Sequence, residues 1–131
     1  MDRKAVIVHS LAEAKAALAP GAPVLLLSAE GGAGSMGPAW WREMVAAAGA
    51  AFPETDAAAL LDCADAPGHA MAALAAGVTE LSFHGSAAAG QKLASMGARL
   101  RPRPTQALDL SLETDPERAC RAWLLGTPPG D

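Results

Sequence analysis

Leu60-Leu61-Asp62-Cys63, residues 60–63, is an apolar run that stops on a carboxylate, and the chain after it is small and alanine-rich, with Pro67 early and Gly77 at its end. The same punctuation occurs twice more. Val6-Ile7-Val8 runs into His9-Ser10, and Leu81-Ser82-Phe83 runs into His84-Gly85-Ser86. An apolar strand closed by a polar residue and followed by a helix is the unit of a βα repeat. Repeats of this kind build a parallel sheet covered by helices, with ligands held outside the carboxyl ends of the strands.

Working outward from these three stretches, the spacing predicts five strands, at about residues 5–8, 24–28, 58–61, 79–83 and 98–101. Ser10 and Glu13 have the spacing of a capping box at the start of the first helix, and Pro20-Gly21 ends it. Trp41, Met44, Val45, Ala48 and Phe52 fall at i, i+3, i+4, i+7 and i+11, one face of a helix that Pro38 opens. Asp65 reads as the cap of the helix that begins at Pro67, and Ser86 as the cap of the next. After Pro104 the leucines at 108, 110 and 112 alternate with polar residues, and Asp115-Pro116-Glu117 opens a last helix. The expected organisation is a single α/β domain over residues 1–131, with βα repeats to residue 104 and a C-terminal arm and helix from 105.

Composition limits the function classes. A chain of 131 residues buries roughly 70% of its unfolded surface in one core and needs neither metal nor disulfide to fold. Alanine inflates the apolar fraction of 51%, and with Trp40, Trp41, Phe52, Phe83 and Trp123 as the aromatics the core must be built from Leu, Val, Met and Ala. The net charge of −4 argues against sequence-independent binding to nucleic acid or anionic lipid, which depends on accumulated Lys and Arg. Cys63 and Cys120 belong to no ligand-spaced cluster and point to a reducing compartment. The apolar stretch Ala5 to Val8 is too short for a signal peptide's core or a membrane span, so the expected location is the cytoplasm.

Strand order decides where a site can form. We expect the open, flavodoxin-like order 2-1-3-4-5, because a 1-2-3-4-5 arc resembling half of a (β/α)₈ barrel leaves a curved face and two edges in need of partners. In the open order strands one, three and four are neighbours, and His9, Asp62, Cys63 and His84 meet at one crevice. Imidazole and carboxylate suit acid/base work or a first-row metal, so His9, Asp62 and His84 are the catalytic candidates, although polar strand ends bonded to loop amides would look the same. Cys63 is a nucleophile only if its pKa is lowered; otherwise it is a small buried hydrophobe.

Glu30-Gly31-Gly32-Ala33-Gly34-Ser35-Met36-Gly37 reads as a loop whose amides would cradle a small anion with the following helix, making Glu30, Gly32, Gly34, Ser35 and Ser86 ligand candidates beside Cys63. It lacks the Lys-Ser/Thr of a P-loop and the GxGxxG spacing, so a surface loop is the competing account. Lys92, Arg99, Arg101 and Arg103 form the one basic concentration and read as a solvated face. Trp40, one position off the core stripe, is either half-packed or a contact for a partner.

Residues 71–83, Met-Ala-Ala-Leu-Ala-Ala-Gly-Val-Thr-Glu-Leu-Ser-Phe, resemble the helix-to-strand unit of the 2-keto-3-deoxyphosphogluconate aldolases. That resemblance implies a barrel-type βα unit and phosphate-bearing ligands. The family's Schiff-base lysine would fall at Ser82, and the Phe-Pro pair after it is replaced by His84-Gly85, so the amine route is absent. Leu60-Leu61-Asp62 with Pro67-Gly68 is similar to the third strand of two-component receiver domains. There the acidic pair after strand one would be His9-Ser10 and the strand-five lysine would be Arg101. Two functional readings follow. One is a binding or interaction module, including a homo-oligomer, that uses the strand ends or the Trp40 and Leu108-to-Leu112 surfaces. The other is a lyase- or hydrolase-type enzyme, metal-dependent or acting on a small molecule, built on His9, Asp62 and His84; neither reading names a cofactor.

Overall fold

A computed structural model describes residues 3–126. The elements in chain order are β1 (Lys4–Ile7), α1 (Leu11–Leu18), β2 (Val24–Leu27), α2 (Gly32–Ser35), α3 (Pro38–Ala51), β3 (Ala57–Asp62), α4 (Pro67–Ala75), β4 (Glu80–Ser82), α5 (Ala87–Ser95), β5 (Arg99–Leu100), β6 (Ala107–Asp109), a 3-10 turn (Leu110–Leu112) and α6 (Pro116–Leu125). The fold is α/β, with a parallel sheet flanked by helices. Its strand order is β5-β4-β3-β2-β1-β6. Among the described residues no helix is long and apolar enough to cross a membrane.

Two expectations are corrected by this order. The sheet has six strands instead of five, and β1 pairs in parallel with β2 on one side and β6 on the other. The flavodoxin-like arrangement, with β3 beside β1, is therefore not formed, and β1 to β5 follow one another as in the alternative arc. The sixth strand comes from the expected C-terminal arm. Ala107, Leu108 and Asp109 register with Ala5, Val6 and Ile7. Val6 is fully buried and Ala5 nearly so. A strand buried on both faces also needs partners on both edges for its backbone groups, and the short segment around Leu108 supplies the second edge.

The chain forms two compact units. One comprises Ser28–Glu43 and Leu60–Arg103, and the other the remaining described residues. In the latter, Val24, Leu26 and Leu27 on β2 and Val6 and Val8 around β1 are buried. The capping box on α1 is formed: Ser10 Oγ accepts from Glu13 N at 3.1 Å, and Glu13 Oε1 reaches back to His9 N at 2.8 Å. Ala14, Ala17 and Leu18 bury the inner face of α1. α6 begins, as expected, at Asp115-Pro116, where Asp115 Oδ1 accepts from Arg118 N at 3.2 Å, and ends at Gly126, whose φ of +72° is the left-handed conformation glycine adopts most readily. Trp123 ties α6 to β1, donating its indole N–H to Ala5 O at 3.0 Å.

In the other unit β3, β4 and β5 pair in parallel, with Leu61 opposite Leu81 and Leu81 opposite Leu100. α4 starts at Pro67, but its cap position is Ala66 and makes no side-chain bond, so Asp65 does not serve as the cap. Ser86 does cap α5, accepting from Ala89 N at 3.1 Å. The glycine-rich segment also departs from expectation. Gly32–Ser35 closes into one helical turn instead of an open loop, entered through Gly31 at φ +69°.

Candidate functional site

β3 ends on Asp62, whose side chain is fully buried. A buried carboxylate is tolerable only when its lone pairs are met. Asp62 Oδ1 accepts from Gly31 N at 2.9 Å and from Ala64 N at 2.8 Å. Oδ2 accepts from Arg103 Nη1 at 3.1 Å. The bond to Ala64 curls the chain after β3 and accounts for Ala64 being the described non-glycine residue with a positive φ, +51°. Arg103 Nη1 also donates to Ser28 O at 3.0 Å. Ser28 Oγ accepts from Asp62 N at 2.9 Å and donates to Ala29 O at 2.9 Å. One buried ion pair thus fastens the end of β3, the residue after β2 and the segment beyond β5.

This network explains the glycines that suggested an anion loop. A Cβ on Gly32 would lie 2.7 Å from Ser28 Oγ and 2.8 Å from Ser28 Cβ. Gly32 N and Gly34 N donate to Ala29 O and Gly31 O, and Ser35 N to Gly31 O, so these amides are spent within the turn. Glu30 and Ser35 are exposed. Gly34 accommodates His69 of α4, a residue the sequence did not single out; a Cβ there would lie 2.5 Å from its Cε1. Gly32→Ala is expected to destabilise the fold by about 1–3 kcal/mol, because Ser28 is buried and bonded and cannot retreat. In Gly34→Ala the exposed His69 ring swings aside, so a clearly smaller loss is expected. Chemical denaturation of both variants measures the difference.

His9 is engaged elsewhere. Its Nε2 lies 2.8 Å from Asp109 Oδ1 at the ends of the paired strands β1 and β6. Asp109 also accepts from Ser111 N at 3.0 Å and Ser111 Oγ at 2.7 Å. Partial burial alone would raise the Asp109 pKa, but the bonds from Ser111 and His9 outweigh it and hold the carboxyl below its ordinary value. That contribution to stability is present above the ordinary carboxylate range and is lost as pH falls through the lowered value.

The proposed trio is thus split by strand order: β6, not β3, stands at β1's second edge, so His9 pairs with Asp109 while Asp62 pairs with Arg103. His84 is exposed, and its backbone N–H donates to Ala64 O at 2.9 Å. Among the described residues no group of three or more His, Cys, Asp or Glu side chains is placed to hold a metal ion.

Neither cysteine has the environment of a nucleophile. Burial, reinforced by the neighbouring Asp62 carboxylate, pushes the Cys63 thiol up to about 11. Burial, with Glu113, Glu117 and Glu13 adding to it, does the same to Cys120, also to about 11. Both thiols stay protonated at neutral pH. Because each folded pKa lies above its unfolded value, their contribution to stability is complete below about pH 9 and falls as pH rises towards 11. Titration with a thiol reagent at pH 8 is expected to modify neither cysteine in the native protein and both after denaturation.

The unit built on β1 also presents an open, mostly apolar concavity. It is a groove of about 370 Å³ between β6 and α6, lined by Leu108, Ala119, Ala122 and Trp123, with Glu113, Asp115 and Arg118 among its polar lining residues. Leu112, beside it, is 79% exposed and Leu125 48%. Trp40, on α3, is 45% exposed and is not one of the groove's lining residues. Comparison with protein-family models, curated proteins and solved structures gave no match.

Proposed function

We propose that the protein is a binding module that works by apolar association, with the groove between β6 and α6 as its contact surface. The observation that carries this reading is the contrast between two places. At the strand ends the polar groups serve each other: Asp62 meets three donors, His9 meets Asp109, and Cys63 is held as a thiol. At the groove, an open apolar concavity adjoins leucines that fold leaves in water. A contiguous apolar surface rimmed by charge is the usual form of a protein contact site. The short resemblance to the aldolase unit supports no chemistry on this reading, since Ser82, in the place of that family's lysine, is buried on β4 and carries no amine.

Native mass spectrometry of gently purified protein tests the proposal, because it reports assembly and retained ligand together. An assembled species that Ala122→Glu removes is the expected result; Ala122 lines the groove and is only half-buried, so the variant folds. A monomer that retains a metal or small molecule, unaffected by Ala122→Glu, overturns it.

A further inference from the structure

Gly49 is a glycine that the chain's own packing does not require. It interrupts an alanine run on α3, Ala46-Ala47-Ala48-Gly49-Ala50-Ala51, where glycine weakens a helix relative to alanine. A glycine inside a helix is ordinarily explained by a tight contact or an unusual backbone angle. Neither applies here: its φ is outside the left-handed region, and a Cβ on it would meet no atom within 4 Å. Val45, Gly49 and Phe52 fall at i, i+4 and i+7, on one face of α3. The helical period marks Val45 and Phe52 for the core as it does Met44 and Ala48, yet both are only half-buried. Beside them is a cleft of about 230 Å³ that these three residues line together with the buried side chains of Leu18 and Leu26.

The lining sets the chemistry of what the cleft can hold. None of its lining residues is ionisable, and Thr55 supplies the one polar side chain. Thr55 Oγ1 donates to Leu18 O at 3.0 Å. With its hydrogen committed there, the hydroxyl offers a ligand only a lone pair. A matching ligand is therefore uncharged, apolar over most of its surface, and carries one donor without an acceptor beside it. A ring N–H of the indole type has that pattern, whereas an alcohol would bring lone pairs that nothing on a side chain here can satisfy. The volume lies below that of drug-sized pockets and suits one or two fused rings. We propose that this cleft binds a small neutral heteroaromatic molecule through its ring N–H, donated to Thr55 Oγ1, and that position 49 is glycine because the ligand takes the space of a side chain. The site is distinct from the groove between β6 and α6, with which it shares no lining residue, and does not depend on that groove's role.

The test is an NMR titration of the whole chain with indole and with benzofuran, an isostere that lacks the N–H. Indole is expected to shift the Leu18, Leu26 and Val45 methyl and Phe52 ring resonances, with a dissociation constant of about 0.1–1 mM. Binding in this range is lost on purification, so it does not bear on the mass-spectrometric test of the groove. Benzofuran is expected to bind at least about fivefold more weakly, the effect of one net hydrogen bond, and Thr55→Val to erase that difference. Gly49→Leu fills the cleft and should bind neither ring. Gly49→Ala, a milder change, should raise Tm through helix propensity while weakening indole binding. Circular dichroism of each variant checks that the fold is retained. Absence of shifts at the cleft with indole overturns the proposal, as does equal affinity of the wild type for the two rings. Discrimination that survives Thr55→Val, or indole binding unchanged in both Gly49 variants, overturns it as well.

Discussion

Replacing Asp62 with alanine is expected to lower the unfolding free energy by about 3–5 kcal/mol, the cost of breaking a buried ion pair from one side. The loss does not come from the attraction alone. Without the carboxylate, Gly31 N and Ala64 N lose their acceptor, and Arg103, with a side chain only 24% exposed, keeps its charge beside an empty space. Ala64 also loses the bond that offsets its φ of +51°. Asp62→Asn retains a carbonyl oxygen for the two amides and forfeits the charge, so it should fall between wild type and alanine. Thermal unfolding, with a fall in Tm of about 10 °C or more for Asp62→Ala, checks the order. Equal Tm values for wild type and Asp62→Ala would show that the network contributes nothing.

The second large effect is expected at Trp41. Its side chain is 2% exposed, and the core around it is poor in aromatics, since the whole chain has two Phe, three Trp and no Tyr. The other buried apolar side chains are Ala, Val, Leu, Met and Cys, too short to close the space left by an indole. Trp41→Ala should therefore cost about 3–5 kcal/mol. Trp40 precedes it by one residue, points about 100° away around the helix and is 45% exposed. Trp40→Ala is expected to cost under about 1 kcal/mol. Denaturant midpoints measure both, and intrinsic fluorescence adds a second readout: the blue-shifted, buried component of the emission should diminish with Trp41 and persist without Trp40.

The contrast between these tryptophans was readable in the chain, and the Asp62 network was not. Trp41 sits on an i, i+3, i+4, i+7 stripe whose members Met44 and Ala48 are buried as the period requires. The local punctuation held in the same way: Ser10, Ser86 and Asp115 cap their helices, and Pro67 and Pro116 open theirs. These features depend on residues within one or two turns of each other. Strand order depends on residues up to a hundred positions apart, and nothing local distinguishes a β1 flanked by β3 from one flanked by β6. The alternation of Leu108, Leu110 and Leu112 did carry a strand signal, but only Ala107–Asp109 pairs, before the chain tightens into a 3-10 turn. Arg103 was hidden among basic neighbours. Arg99 and Arg101 are the exposed residues their surroundings suggested, facing Glu80 at 3.7 and 3.3 Å. Arg103, two positions on, turns inward onto the buried carboxylate of a residue forty-one positions earlier. A buried acid at a strand end was the signal available, and the histidines at the other strand ends were more conspicuous partners than an arginine within a basic run.

The modest length of β6 has a consequence for the protein's life outside the folded state. Three residues of this strand cover one edge of β1, whose Val6 and neighbouring Val8 are completely shielded from water. Peeling β6 away would bare an unpaired valine-rich edge able to template intermolecular sheets, the hazard that natural proteins conceal with short, charged or covered borders. β6 thus keeps that edge of β1 paired. A protease cut between Arg103 and Ala107 is expected to raise the aggregation rate of the chain, which light scattering after cleavage measures.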